Sequence, residues 1–246
     1  MPAIQSLRES FAVYRKNQFR FLTAVVVFTL SQLIMVGALM GILMLTFIAL
    51  LLTGFIKTQS MTSLYILGAL GAILAFFGTC FSATFNGAFF DSCYAIYLAR
   101  RQTTVDFLSY ALHRVPTYSM VNIAHLFLLG LAAVPLVIIA YLVPGEITIY
   151  ACSALFILAS FITHIPLALA IPAVVVDNIG WTSAIGRSVS TILHNLPQFA
   201  LLVFTIFVFD AVLCLIPLVG PLLILLVLLP VSDSAYLMFY RSRRKE

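Results

Sequence analysis

The sequence predicts an all-α, polytopic membrane protein in which six transmembrane helices alternate with three interfacial amphipathic helices. Composition is the first reason: of 246 residues, 63% are apolar and 9% charged, against about 45–50% and about 25% in soluble domains. A soluble fold of this length cannot bury so much apolar surface. Run length is the second. Stretches free of charge extend from Phe21 to Ile56, Thr58 to Phe90, Ser119 to Gly145 and Ile147 to Val176, each beyond the ~18 residues that mark a membrane-spanning candidate. Order is the third, because amphipathic segments separate the apolar ones, most clearly between Ile171 and Phe209.

Residues 1 to 20 place Ile4, Leu7, Phe11 and Tyr14 on one helical face and Arg8, Glu9, Arg15 and Lys16 on the other, the pattern of a helix lying in the membrane interface. The first span, about 21 to 54, starts an apolar run too long for the ~7–15-residue core of a cleaved signal. As one helix that run would be about 54 Å long, so it must tilt, kink or project. Gly37 with Gly41, Gly68 with Ala72 and Gly71 with Ala75 form small-residue faces that predict packing of this span on the second, about 61 to 99. A surface helix follows from Thr103 or Thr104, its N-cap, to Val115, with Pro116 as the stop. The third span, about 119 to 143, meets the fourth, about 147 to 176, at the turn signal Pro144-Gly145.

A third surface helix carries Ile185, Val189, Ile192, Leu193 and Leu196 on one face and Arg187, Ser190, His194 and Asn195 on the other. Ile185, Val189, Leu193 and Leu196 are expected to be buried toward the spans, with Arg187 reaching headgroups or Asp177. The fifth span, about 198 to 216, joins the sixth, about 218 to 240, across Pro217, Gly220 and Pro221, which suit either a hairpin or a kink. With six spans, every Lys and Arg except Lys57 falls on the side of the termini. By the positive-inside rule both termini are then cytoplasmic, in a cell membrane.

Leu112-His113-Arg114-Val115-Pro116-Thr117-Tyr118 matches Leu193-His194-Asn195-Leu196-Pro197-Gln198-Phe199, and Asp91-Ser92-Cys93-Tyr94 is echoed by Asp233-Ser234-Ala235-Tyr236. These matches suggest that one integral membrane domain, 1–246, contains three parallel units, approximately 1–101, 102–178 and 179–246.

Ionisable groups within spans are the candidate sites, because their burial is costly. Counted in from the cytoplasmic ends, Asn86, His164 and Asp210 lie roughly 16–18 Å deep, and Asp91, His125 and Asp233 roughly 9–11 Å deep. The deeper three form a candidate intramembrane polar cluster for proton relay or cation passage. Asp91 and Asp233 are expected to pair with Arg100, Arg101 or the tail arginines. Arg114, Arg187, His113 and His194 are candidate headgroup contacts. Cys80, Cys93, Cys152 and Cys214 stand alone, as small buried hydrophobes do. Neither a nucleophile elbow, a zinc-binding His-Glu-x-x-His nor a phosphate-binding glycine loop occurs, so no catalytic residue, metal or cofactor is expected.

Pro172-Ala-Val-Val-Val-Asp177-Asn178-x-Gly180, then Ala184-Ile185-Gly186-Arg187-Ser188, then Asn195 before an apolar span, resembles the membrane domain found with some bacterial glycerophosphodiester phosphodiesterases and in related six-span proteins. The resemblance implies membrane placement and a link to lipid or envelope processes. The phosphodiesterase barrel is not in the sequence, so hydrolase activity is not implied. The expected function is that of a non-enzymatic accessory or assembly subunit, or a lipid-handling component, with membrane lipids and other membrane subunits as partners and no nucleic acid. The alternative is a small transporter or channel using the polar cluster.

Overall fold

The computed structural model describes residues 2–52, 61–100, 103–143 and 145–243. Lys57, Arg101, Pro144, Arg244 and Lys245, used above for the charge count and the third turn, lie outside the described residues. All regular structure among the described residues is helical: α1 (Pro2–Lys16), α2 (Gln18–Leu52), α3 (Met61–Tyr97), α4 (Thr104–His113), α5 (Val115–Leu142), α6 (Glu146–His164), α7 (Ala170–Asp177), α8 (Trp181–His194), α9 (Leu196–Cys214), α10 (Val219–Leu223) and α11 (Leu229–Arg243). Among the described residues, six stretches are long and apolar enough to cross a membrane: Gln18–Leu50, Gly68–Tyr97, Val115–Leu142, Glu146–Asp177, Leu196–Cys214 and Val219–Arg243. The chain is that of a multi-pass integral membrane protein.

The fourth stretch is broken. Pro166 lies in a 3-10 turn, Ile165–Leu167, between α6 and α7, and leaves backbone groups without helical partners. Ser188 of α8 satisfies them. Its hydroxyl donates to the Pro166 carbonyl at 2.6 Å and accepts from the Leu169 amide at 3.2 Å. The connection after α9 is a hairpin rather than a kink. Leu218 takes a positive φ of 63°, and a Cβ at Gly220 would overlap the Leu213 carbonyl, so only glycine allows the chain to close there. Past it, Ile224–Leu228 form a π-helical turn, and the Leu226 carbonyl accepts from the Tyr14 hydroxyl of α1 at 3.0 Å. Burial raises the Tyr14 phenol above its ordinary pKa.

α3, α11 and the short α7 touch one another pairwise. Around them, α4 lies against α3 with a small cavity between it and α2, α8 against α5 and the Pro166 turn, and α1 against α9 and α11. α4 and α8 therefore each rest on elements that precede them in the chain, and α1 closes the circle on the last pair of spans. Three corners share one construction. Asn17, Arg114 and Asn195 end α1, α4 and α8, and their carbonyls accept from the amides of Phe21, Tyr118 and Phe199. All three aromatic rings are fully buried.

Burial is concentrated at this end of the molecule. On α2, Phe21 and Val25 are buried, whereas Leu33, Ile34, Met40 and Leu45 are exposed; on α5, Tyr118 and Val121 are buried, whereas Val134 and Val137 are exposed. The α2–α3 pair packs as expected, but not on the expected glycines. A Cβ at Gly37, Gly41, Gly68 or Gly71 would meet nothing within 4 Å, while one at Gly78 would touch Leu39.

The seating of α8 also differs from expectation. Ala184, Ser188 and Ile192 are its buried residues, whereas Leu193 is 67% and Leu196 48% exposed. In a membrane protein the largest apolar side chains gain as much from lipid as from protein, so small residues take the close helix contact.

Candidate functional site

The basic end is joined by two polar clusters. In the first, Asp91 of α3 accepts from the Tyr118 hydroxyl at 2.6 Å and lies 3.8 Å from Arg114. The Arg114 guanidinium also donates to the Val174 carbonyl at 3.3 Å and to Asn178 Oδ1 at 2.8 Å. Asn178 is the left-handed C-cap of α7 (φ 54°, ψ 44°), a conformation asparagine tolerates better than most residues. Arg114 is thus spent on joining α3, α5 and α7. His113 is exposed on α4.

In the second cluster, Asp177 Oδ2 accepts from Arg187 at 2.5 Å and from the Tyr240 hydroxyl at 2.6 Å. Asp177 is nearly buried, with 7% of its side chain exposed, while Arg187 is 55% exposed. The hydrogen bond from Arg187 to Asp177 raises the guanidinium's pKa further above its ordinary value. Next to it, Arg243 donates to Gln198 Oε1 at 2.6 Å. The expected partner of Arg187 is therefore present, but the expected pairing of Asp91 with Arg100, Arg101 or the tail is replaced by Tyr118 and Arg114. Asp233 lies beside Cys93 instead, and Arg241 of the tail stacks over Tyr97 at 5.3 Å.

Two cavities meet this frame. A polar pocket of about 520 Å³ is lined by Arg187, Ser190, Thr191, His194, Asn195, Tyr240 and Arg243. It unites Arg187 and His194 of the candidate headgroup set and leaves Arg114 and His113 outside. Within it, His194 Nδ1 is 2.7 Å from the Ser190 carbonyl, an arrangement that directs Nε2 away from the helix.

A second, largely apolar cavity of about 340 Å³ is lined by His164, Phe199, Val203, Ile206, Phe207, Asp210, Leu228, Ser232 and Tyr236, among others. His164 and Asp210 therefore share a cavity. Asn86 does not line it and is exposed on α3. His125 lies against His164 instead, their ring centroids 5.3 Å apart, so the two depths separated by counting along the helices meet at this pair. No cluster of three or more metal-ligating side chains occurs among the described residues.

Compared with known protein families, curated proteins and solved structures, the chain matches none. The functional reading therefore rests on the geometry. Sequence reasoning had not singled out Asn178, Tyr240, Gln198 or Arg243 as site residues. Asn178 carried a signal, since an Asp-Asn pair before Gly180 marks a helix end, whereas the partners of Tyr240 come from segments distant in the chain.

Proposed function

We propose that the chain is a non-enzymatic, lipid-handling integral protein of a cell membrane, with both termini cytoplasmic and acting beside other membrane subunits. The observation that carries this reading is the polar, arginine-lined pocket at the basic end of a helix groove whose next level is an apolar cavity. Such an end suits an anionic lipid surface, each Lys or Arg adding on the order of 1 kcal/mol of attraction. The circle of α1, α4 and α8 supports their placement in the interface, and the three shared corners support a threefold repeat.

The reading is tested by native mass spectrometry of the chain released from bilayers of equal phosphatidylglycerol and phosphatidylcholine. Preferential retention of the anionic lipid is expected; indifferent retention would remove the reading.

A second reading, proton-coupled transport, is favoured by His164 and Asp210 on one cavity with His125 against His164. It predicts that His164→Gln and Asp210→Asn abolish ion-dependent uptake in proteoliposomes.

A further inference from the structure

We propose that the α9–α11 groove is a two-level site for one anionic phospholipid, the phosphate held by Arg187, His194 and Arg243 and an acyl chain lying in the cavity below. The proposal rests on the lipid-handling reading and adds a location, a ligand class and a division of labour.

The two levels are in register along the same helices. Tyr240 lines the polar pocket and Tyr236 the apolar cavity, one turn apart on α11. Asn195 lines the pocket and Phe199 the cavity, again one turn apart where α8 passes into α9. A turn is about 5.4 Å, so the two spaces are separated by a single tier of side chains. That tier is the Phe199 and Tyr236 rings, with centroids 6.2 Å apart. A phosphate in the pocket and a chain in the cavity are then at the spacing of one amphiphile.

The upper level has the chemistry of a phosphate site. Two guanidiniums and an imidazole come from α8 and α11, and Ser190 and Thr191 line the same space. Guanidiniums bind phosphate oxygens through paired, charge-assisted hydrogen bonds. The groups are also positioned in advance, Arg187 by Asp177 and Arg243 by Gln198. The lower level offers Val203, Ile206, Phe207 and Leu228 to a hydrocarbon chain.

A free phosphate or soluble phosphate ester would use the upper level alone, and this separates the sources. The full chain in detergent is titrated with phosphatidylglycerol, phosphatidylcholine, glycerol phosphate and inorganic phosphate, with binding read by native mass spectrometry and by thermal shift. Phosphatidylglycerol is expected to bind at least tenfold more tightly than the other three. His194→Gln with Arg243→Gln should remove most of that preference while phosphatidylcholine binding is unchanged. Ile206→Trp, which fills the cavity, should weaken phosphatidylglycerol binding with the headgroup residues intact. Val203→Phe serves the same purpose if the tryptophan variant does not fold.

Equal affinity for phosphatidylglycerol and inorganic phosphate would reduce the site to an anion pocket and overturn the proposal. So would phosphatidylglycerol preference that survives the His194/Arg243 change; in that case the lipid-handling reading stands and only its location is lost. Absence of any lipid preference in the unaltered chain removes both.

Discussion

The basic end and the far end of the molecule are made of similar spans, yet they are held together differently. At the basic end, side chains as polar as Asp91, Arg114, Asp177 and Ser188 are drawn inward and satisfied by groups on other helices. Toward the far end, Leu33, Met40, Val137 and Phe204 are exposed, and an apolar cleft of about 550 Å³ separates stretches of α2 and α3. Where lipid replaces water, apolar burial no longer drives helices together, and close packing with polar cross-links does. The end with the cross-links is the end with a core.

The largest test of this contrast is Asp91→Ala, which leaves Tyr118 and Arg114 without their carboxylate. A loss of about 3 kcal/mol is expected, as for breaking a buried ionic group, read by denaturation in detergent with Leu33→Ala as the far-end control. Comparable losses in the two variants would break the comparison. Next is glycine. A Cβ at Gly87 would overlap the Tyr118 ring while one at Gly37 meets nothing, so Gly87→Ala should cost about 2 kcal/mol through overpacking and Gly37→Ala should be neutral or stabilising. Thermal melts of both variants settle the sign.

Ser188→Ala should cost about 1 kcal/mol or more by stranding the Pro166 carbonyl and Leu169 amide, while Ser190→Ala, two residues on and on the exposed face, should leave the melt unchanged. Smallest is a pH effect on α4. The Thr103 backbone amide, and then its hydroxyl, lower the Asp106 pKa, and Thr103 and Asp106 form a capping box. A depressed folded-state pKa stabilises above the unfolded value, about 3.9, and the gain disappears as pH falls through the lower folded value. The melting difference between the native chain and Asp106→Ala should therefore hold at neutral pH and close in acid.

Span number, the Thr103 cap and the Arg187–Asp177 pair were legible because each depends on residues near in sequence. The seating of α8 was not, because an apolar stripe was read as the face against protein. That rule belongs to proteins in water; here Leu193 and Leu196 stay outside and Ser188 goes in. The likeness of the third corner was hidden because Asn17 lacks the proline that follows Arg114 and Asn195, and only the backbone bond and the buried Phe21 show it. The His125–His164 contact was not legible because depth counted along a helix ignores the reach of side chains and the break at Pro166. Tyr240 gave no warning, since Asp177, its partner, is fixed by α8.

The closure of the circle by α1 has a consequence for the order of assembly. Ser10 contacts Met238, and Tyr14 holds the Leu226 carbonyl, so the landing site of α1 is made of residues synthesised long after it. During synthesis α1 must wait, sheltered by the interface or by another protein, until the last hairpin has been inserted. Contacts so distant in sequence form late, and the seating of α1 becomes the step that converts inserted hairpins into the finished bundle.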